Sequence, residues 1–386
     1  MARLRLRPFV ARDAAEVAAI AARAYPYSRW PSQAARAAYF VEIFLHNPWQ
    51  DPELPSWVAQ DEVGIVGFMG VLARRMLHRA QQIRVAVGCQ LMVDPARPCG
   101  FAGLELLRRY FSGPQDLSVA DGANEASRQC WEAVGGAASP LHSLHWVRLL
   151  RPAQGVLQLA ASRPALRSVS ALAKPFAALA DACGMRLAPS QPGPGLREEL
   201  LDAAGLVAAL HEHRSAFTLR PHYEVASLEW LLGQVHAKQR RCGPLQSGLL
   251  RERDGRIAGW FLYYLDSSMS QVLQVGARRE RVAAVLDSLF EHARLRGAVA
   301  IQGRVEPHLA NGLRGKRCLL MSRSTATLVH ARDPGLLVPF FRGDALFTRL
   351  DGEWWTRFSG DDGPVVSAQG LLARSKKQKL RPLPAS

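Results

Sequence analysis

From Arg3 to Val10 basic and apolar residues alternate, the period-2 pattern of a strand with one face in a core. Arg12-Asp13 then leads into AAEVAAIAARA, whose small apolar residues recur at helical spacing; Asp13 is the expected N-cap. A second helical stretch runs from about Ala34 to Leu45. Ser56 to Gln60, the turn Asp61-Glu-Val-Gly64 and Ile65 to Leu72 predict a β-hairpin, and Met76 to Val93 continues the meander. The run Val85-Ala-Val-Gly-Cys-Gln-Leu-Met-Val93 has the β-branched, continuous character of a buried strand, and Asp94-Pro95 stops it. After a Gly-containing loop, Leu104, Leu107 and Tyr110 recur at helical spacing. Asp116 to Ala120 is a further strand and His142 to Leu150 another.

The second half follows the same outline. Residues 198–213 and 225–235 read as helices, 247–253 and 256–264 as a hairpin around Asp254-Gly255, and 270–275 as a central strand. A helix over 282–295 and a strand over 298–303 complete it. Ile257-Ala-Gly-Trp260 echoes Ile65-Val-Gly-Phe68. Between the halves, Arg151-Pro, Arg163-Pro, Lys174-Pro and Ser190-Gln-Pro-Gly-Pro-Gly195 punctuate a connector. The expected division is 1–152, a connector over 153–197, 198–360, and a basic, Pro-flanked tail over 361–386 expected to be disordered.

Composition narrows the class. The 386 residues suffice for two or three domains, and 48% hydrophobic residues is ordinary for a globular protein. The formal net charge of +16 points to anionic partners, but the basic residues are dispersed and form no stripe interleaved with aromatics, so no specific nucleic acid is expected. The six cysteines are scattered without CxxC or Cys/His ligand spacing, which argues against a metal site and against a disulfide framework. No long apolar segment and no leader pattern are read at the N-terminus, so the expected location is cytoplasmic.

The chemistry-bearing stretch is Val85 to Tyr110. A strand, a loop with glycine and a helix aim free N–H groups, and the positive end of the helix dipole, at whatever sits before the helix; an anion such as phosphate suits that place. Within it, Arg97-x-x-Gly100-x-Ala102 resembles the pyrophosphate-binding signature of the GNAT (GCN5-related) N-acetyltransferases. Downstream, Asn124, Ser127, Trp131-Glu132 and Gly135 stand at the spacing of that family's closing segment. The two signatures occur in the family's order, and the resemblance covers roughly residues 3–150. The opening strand, Arg12-Asp13 turn and helix also resemble the family's start.

The resemblance implies a mixed α/β fold: two tandem acyl-CoA N-acyltransferase-like domains, each a mixed central sheet flanked by helices. It implies acetyl-CoA, or another acyl-CoA, as co-substrate, held in a splay between Gly88–Val93 and Leu117–Ala120. The backbone of Gln90, Leu91, Met92 and Val93 would pair with the pantetheine arm, one N–H stabilising the thioester oxyanion. Arg97, Pro98, Cys99, Gly100, Phe101, Ala102 and Gly103 would hold the pyrophosphate, with Asn124 contributing. The acceptor would be a small-molecule or sugar amine, attacking directly in a ternary complex, and the region of Tyr25, Tyr27, Arg29, Trp30, Tyr39, His46 and Trp49 would wall its pocket. No Glu lies on the central strand, so Asp121 is the nearest carboxylate to act as base or to hold a water, with helix capping as its structural alternative. Where many members place a Tyr to protonate the leaving thiolate stands Trp131, whose indole N–H is no useful acid. His142 and His145 are further candidates.

In the second half the matching loop, Gly276-Ala-Arg-Arg-Glu280, lacks the second small residue, so cofactor is expected in the first half alone; Arg278 and Arg279 remain as point charges for phosphate. The stretch from Gly343 to Trp355 resembles a closing strand and turn, with Asp344, Asp351 and Glu353 as carboxylates near an acceptor. Two other readings stand beside the enzyme: a catalytically inactive CoA- or ligand-binding protein, suggested by Trp131, and an anionic-polymer binder, suggested by the charge.

Overall fold

The computed structural model describes residues 4–161 apart from 27, 29 and 98, then 173, 175–181, 195–322 and 325–356. Two mixed sheets dominate it, of eight and seven strands. The first half runs β1 (Arg5–Pro8), α1 (Ala14–Ala24), α2 (Gln33–Leu45), β2 (Trp57–Gln60), β3 (Ile65–His78), β4 (Gln81–Val93), α3 (Ala102–Phe111), β5 (Leu117–Ala123), α4 (Glu125–Ala133), β6 (Ala137–Ser139) and β7 (Leu144–Leu149). The alternation of polar and apolar residues therefore read the elements correctly up to β5. One local detail differs: the Asp13 carboxylate makes no cap bond to α1 but takes Arg7, at 2.6 and 2.9 Å, and the backbone N–H of Val10. A bidentate charge pair outweighs a single capping bond.

α5 (Pro152–Ala161) opens the connector; the Pro/Gly boundary near 187–197 falls mostly outside the described residues, as do Pro98, Tyr27, Arg29 and the basic tail. The second half runs β8 (Arg197–Glu199), α6 (Ala203–Glu212), β9 (Leu219–Pro221), α7 (Val225–Ala237), β10 (Leu245–Arg251), β11 (Ile257–Tyr264), β12 (Ser270–Ala277), α8 (Val282–Leu295), β13 (Ala300–Arg304), β14 (Leu319–Ser322) and β15 (Ala326–Ala331).

The sheets exchange strands. The first has the order β1-β2-β3-β4-β5-β15-β6, with β9 added on β3, and the second β14-β7-β13-β12-β11-β10-β8. So β7, from the first half, pairs antiparallel with β13 and β14, while β15, from the far end of the chain, pairs with β5 and β6. The first half lends β7 to the second sheet, the second half lends β9 and β15 to the first, and neither sheet is built from a contiguous stretch. One apolar cluster spans both halves, joining Phe40, Phe68 and Val87 to Leu228, Trp260 and Trp355. Each sheet has one parallel pair, β4 with β5 and β12 with β13.

The segment after Gly343 is no strand. A short helix, Val338–Arg342, ends at Gly343 in the left-handed conformation, and the chain then passes between the two sheets to a last turn at Trp354–Thr356. Its residues Ala345 to Leu350 are almost wholly buried. Its backbone pairing is a single parallel bridge, Ala345 with Leu219 of β9, and its Thr348 and Arg349 side chains bond to β12.

Candidate functional site

β4 and β5 are parallel partners only at Val85, Ala86 and Val87. Beyond Val87 and Val119 they part: Gly88–Val93 lie past the paired stretch as expected, whereas Leu117–Val119, expected in the splay, are paired with β4. Opposite, on the β3 side, the register slips between Phe68 and Gly70: Gln90 and Leu91 face the single residue Met69. This is a β-bulge. Gln90 carries it, in the left-handed region at φ 53°, a conformation that costs a non-glycine residue roughly 1 kcal/mol or more. The bulge directs the Gln90 N–H at the Glu353 carboxylate, whose Oε2 lies 3.1 Å away. Gln90 also donates from Nε2 to the Thr356 carbonyl at 3.2 Å, a carbonyl the Tyr39 hydroxyl shares.

Asp121 stands across the splay at the end of β5 and is buried. Its Oδ1 accepts from the backbone N–H groups of Glu353 and of Trp354 (3.2 Å), and its Oδ2 meets Arg304 Nη1 at 3.3 Å. Asp121 does not cap α4. Asn124 does, accepting from Ser127 N at 2.9 Å. Close approach of the terminal segment fixes one residue type: a Cβ on Gly352 would lie 2.0 Å from Asp121 Oδ1.

At the mouth of the splay α3 starts with no side-chain cap. Phe101 is its exposed N-cap residue, and Gly103 and Leu104 lie in its first turn, where amides have no partner within a helix. A Cβ on Gly100 would meet nothing within 4 Å and Gly100 has ordinary φ, so neither strain nor packing within the chain demands glycine here. The Arg97 guanidinium is already committed: Nη2 binds both Asp61 oxygens, at 2.5 and 2.6 Å, and braces the β2–β3 turn.

Trp131 is 2% exposed, packs on Phe111 and Tyr110, and donates its indole N–H to the Val329 carbonyl of β15 at 3.2 Å. Its place is structural. His142 is buried between Ser139 Oγ and the Ala345 carbonyl, and burial pulls its imidazole down to about 3, so it stays neutral. Cys89, next to Gln90, is fully buried and its thiol is pushed up by desolvation and by Glu353 and Asp121.

Of the aromatic region, Tyr39 reaches this site, while Trp49 lies against Arg74. Trp30 packs on Tyr39, while Tyr25 and His46 are exposed. Sequence reasoning noted Glu353 only as a carboxylate near an acceptor. Nothing local shows that it closes on a bulge 263 residues earlier.

In the second sheet, β12 and β13 pair only at Ser270–Ile301 and Gln271–Gln302. There the terminal segment intrudes: Arg349 donates to Gln271 Oε1 (3.2 Å) and the Val272 carbonyl (3.3 Å), and Thr348 Oγ1 accepts from Gln274. Arg278 and Arg281 both pair with Glu252.

Family models give no match, and neither do curated proteins. Solved structures do. A GCN5-related N-acetyltransferase from Kribbella flavida shares 12% identity and superposes with a TM-score of 0.54, over 88% of this chain and 74% of that one. A second, from Anabaena variabilis, gives 10%, 0.54, 85% and 73%. A conserved protein of unknown function from Enterococcus faecalis gives 10%, 0.55, 89% and 74%. At this identity the likeness is one of fold, and the chain has the fold of the GCN5-related N-acetyltransferases, in two tandem mixed-sheet units.

Proposed function

We propose that this chain is an N-acyltransferase that takes acyl-CoA in the splay of its first sheet and passes the acyl group to a primary amine. One observation carries the reading: the Gln90 bulge turns a backbone N–H into the splay, where it already holds an oxygen of Glu353. A thioester oxygen bound there would meet a preorganised donor as it gains charge. The backbone of Leu91 to Val93 runs on from Gln90 toward the α3 loop, so pantetheine would lie along it and the pyrophosphate against the first amides of α3.

Glu353 then leaves the Gln90 N–H to the thioester and takes the proton of the attacking amine. The C–N bond forms, the C–S bond breaks, and the CoA thiolate takes its proton from water, because the Trp131 indole is committed elsewhere. Asp121 is a positioning residue here, holding the Glu353 backbone. The second unit binds no acyl-CoA in this reading: Thr348 and Arg349 stand in its splay, and Glu252 holds Arg278 and Arg281.

Thermal unfolding with acetyl-CoA, and with longer acyl-CoAs, tests the binding half. Ligand at about a hundred times its dissociation constant should add roughly 2.7 kcal/mol of stability. Gly100→Glu should abolish that gain. Release of free thiol with an amine panel tests the transfer half, and separates an enzyme from a protein that only binds CoA. If no acyl-CoA stabilises the wild type, the reading fails.

A further inference from the structure

One buried guanidinium beside the splay has no hydrogen bond at any of its nitrogens. Arg74, on β3, is 6% exposed, and none of its three guanidinium nitrogens has a hydrogen-bond partner. Two indoles lie against it: the guanidinium carbon is 3.5 Å from the Trp49 ring centre and 5.6 Å from that of Trp355. Stacking satisfies the faces of a guanidinium but not its five N–H groups, which point outward in the plane. The Trp355 indole N–H is buried and unpartnered too. A buried ionised group with unmet donors is costly, and its retention calls for a ligand.

Arg74 borders a small cleft lined by Trp49, Arg75, His222, Tyr223, Phe347 and Asp351 among others. Asp351 is the carboxylate in that wall, and it is committed: one oxygen accepts from Tyr223 (2.5 Å), the other from Thr348 N and Oγ1 (2.6 Å each). The terminal segment links the cleft to the reacting centre. Trp355 covers Arg74, while Glu353, two residues earlier, holds Gln90. Along β3, Arg74 is four residues from Gly70, the partner of Cys89 beside Gln90, roughly 13 Å of strand.

We propose that Arg74 is the anion socket of the acceptor site and binds the carboxylate of a carboxylate-bearing amine, such as a peptide or an ω-amino acid. A planar monoanion enters edge-on beside the indoles and meets the guanidinium fork with two parallel bonds. A phosphate would bring a tetrahedral dianion into a flat slot that already has Asp351 in its wall. The amine, several bonds from the carboxylate, then lies toward Gln90 and Glu353. This inference rests on the acyl-transfer reading for what becomes of the amine, but not for the binding of the anion.

The test uses the full chain and a panel of dipeptides and ω-amino acids, each as the free acid and as its carboxamide. Thermal unfolding and thiol release from acetyl-CoA are followed for the wild type, Arg74→Met and Arg74→Lys. Free acids should stabilise the wild type and show a KM at least about tenfold below that of their amides. Arg74→Met should erase that difference, and Arg74→Lys, which keeps the charge without the fork, should fall between. Near-ultraviolet circular dichroism of the indoles, and an intact acetyl-CoA shift, establish that the variants are folded. Equal behaviour of acids and amides, no stabilisation by either, or a preference that survives in Arg74→Met overturns the socket. Failure of the acyl-transfer reading looks different: acetyl-CoA then gives no shift, while free acids still stabilise the wild type and not Arg74→Met.

Discussion

Arg304, on the β13 strand of the second sheet, reaches Asp121, on β5 of the first, with Nη1 3.3 Å from Oδ2 and both side chains 3% exposed. The same guanidinium donates to Thr327 Oγ1 on the exchanged strand β15 and to the Phe347 carbonyl of the terminal segment. Asp121 in turn holds the N–H groups of Glu353 and Trp354. One buried charge pair therefore ties together two sheets, a swapped strand and the segment that supplies the candidate base.

Removing one member of such a pair leaves the other charged, dry and unpartnered, which costs about 3–5 kcal/mol. Arg304→Met and Asp121→Asn should each lower the unfolding free energy read from urea titration by an amount in that range, and the double variant should lose much less than the sum. A coupling near zero in the double-mutant cycle would show that the two residues act independently. Asp121→Asn also replaces a charged acceptor of the Glu353 N–H by a neutral one, so thiol release should fall more than acetyl-CoA binding does.

Glu353→Gln keeps the size of the side chain and removes its basicity. Acetyl-CoA should stabilise this variant about as much as the wild type, while kcat falls by roughly 10²–10⁴-fold. Steady-state thiol release at saturating amine reads the loss. A kcat within twofold of the wild type would assign the proton to another group.

These residues show where the sequence was legible. Asn124, Ser127 and Trp131 stand out by their spacing, which resembles a family's closing segment, while the cap that Asn124 makes on α4 is not read from that spacing. The α3 loop was equally plain, since glycine and a strand-to-helix turn are local signals. The exchange of β7 and β15 was not legible: both strands alternate correctly, but alternation says which face is buried and never which sheet supplies the neighbour. For the same reason Glu353 and Arg74 escaped notice as a pair of sites. Their partners come from loops and strands far off in the chain, and a turn rich in carboxylates reads as surface until a second sheet covers it.

Two adjacent glycines make a sharp local comparison. Gly136 lies under Trp131, and a Cβ there would sit 1.9 Å from the indole Cδ1. Gly135 has open space but φ +95°. Gly136→Ala must push the indole off β15 and should cost about 2–3 kcal/mol, a typical overpacking penalty. Gly135→Ala carries only backbone strain, about 1–2 kcal/mol. Denaturant midpoints of the two variants decide the order, and a Gly135 variant at least as damaged as the Gly136 one would show that the indole yields easily.

Glu306 follows β13 and is buried, and desolvation pushes its carboxyl up to about 8. Its neighbour His308, with Nε2 3.8 Å from Oε2, is pulled down to about 4 by burial. Between these values both are neutral, so the contact is not an ion pair at neutral pH. The sign follows for each. Glu306 binds its proton more tightly folded than unfolded, so its contribution is complete below the unfolded value of about 4.5 and is lost as pH rises toward 8. His308 binds its proton less tightly folded, so it destabilises as pH falls from about 6.5 toward 4. Glu306→Gln keeps the neutral shape and removes the titration. Wild-type stability should therefore decline from pH 6 to 8.5 relative to that variant, read from urea midpoints at each pH. Parallel curves across that window would mean that Glu306 is already ionised in the folded protein.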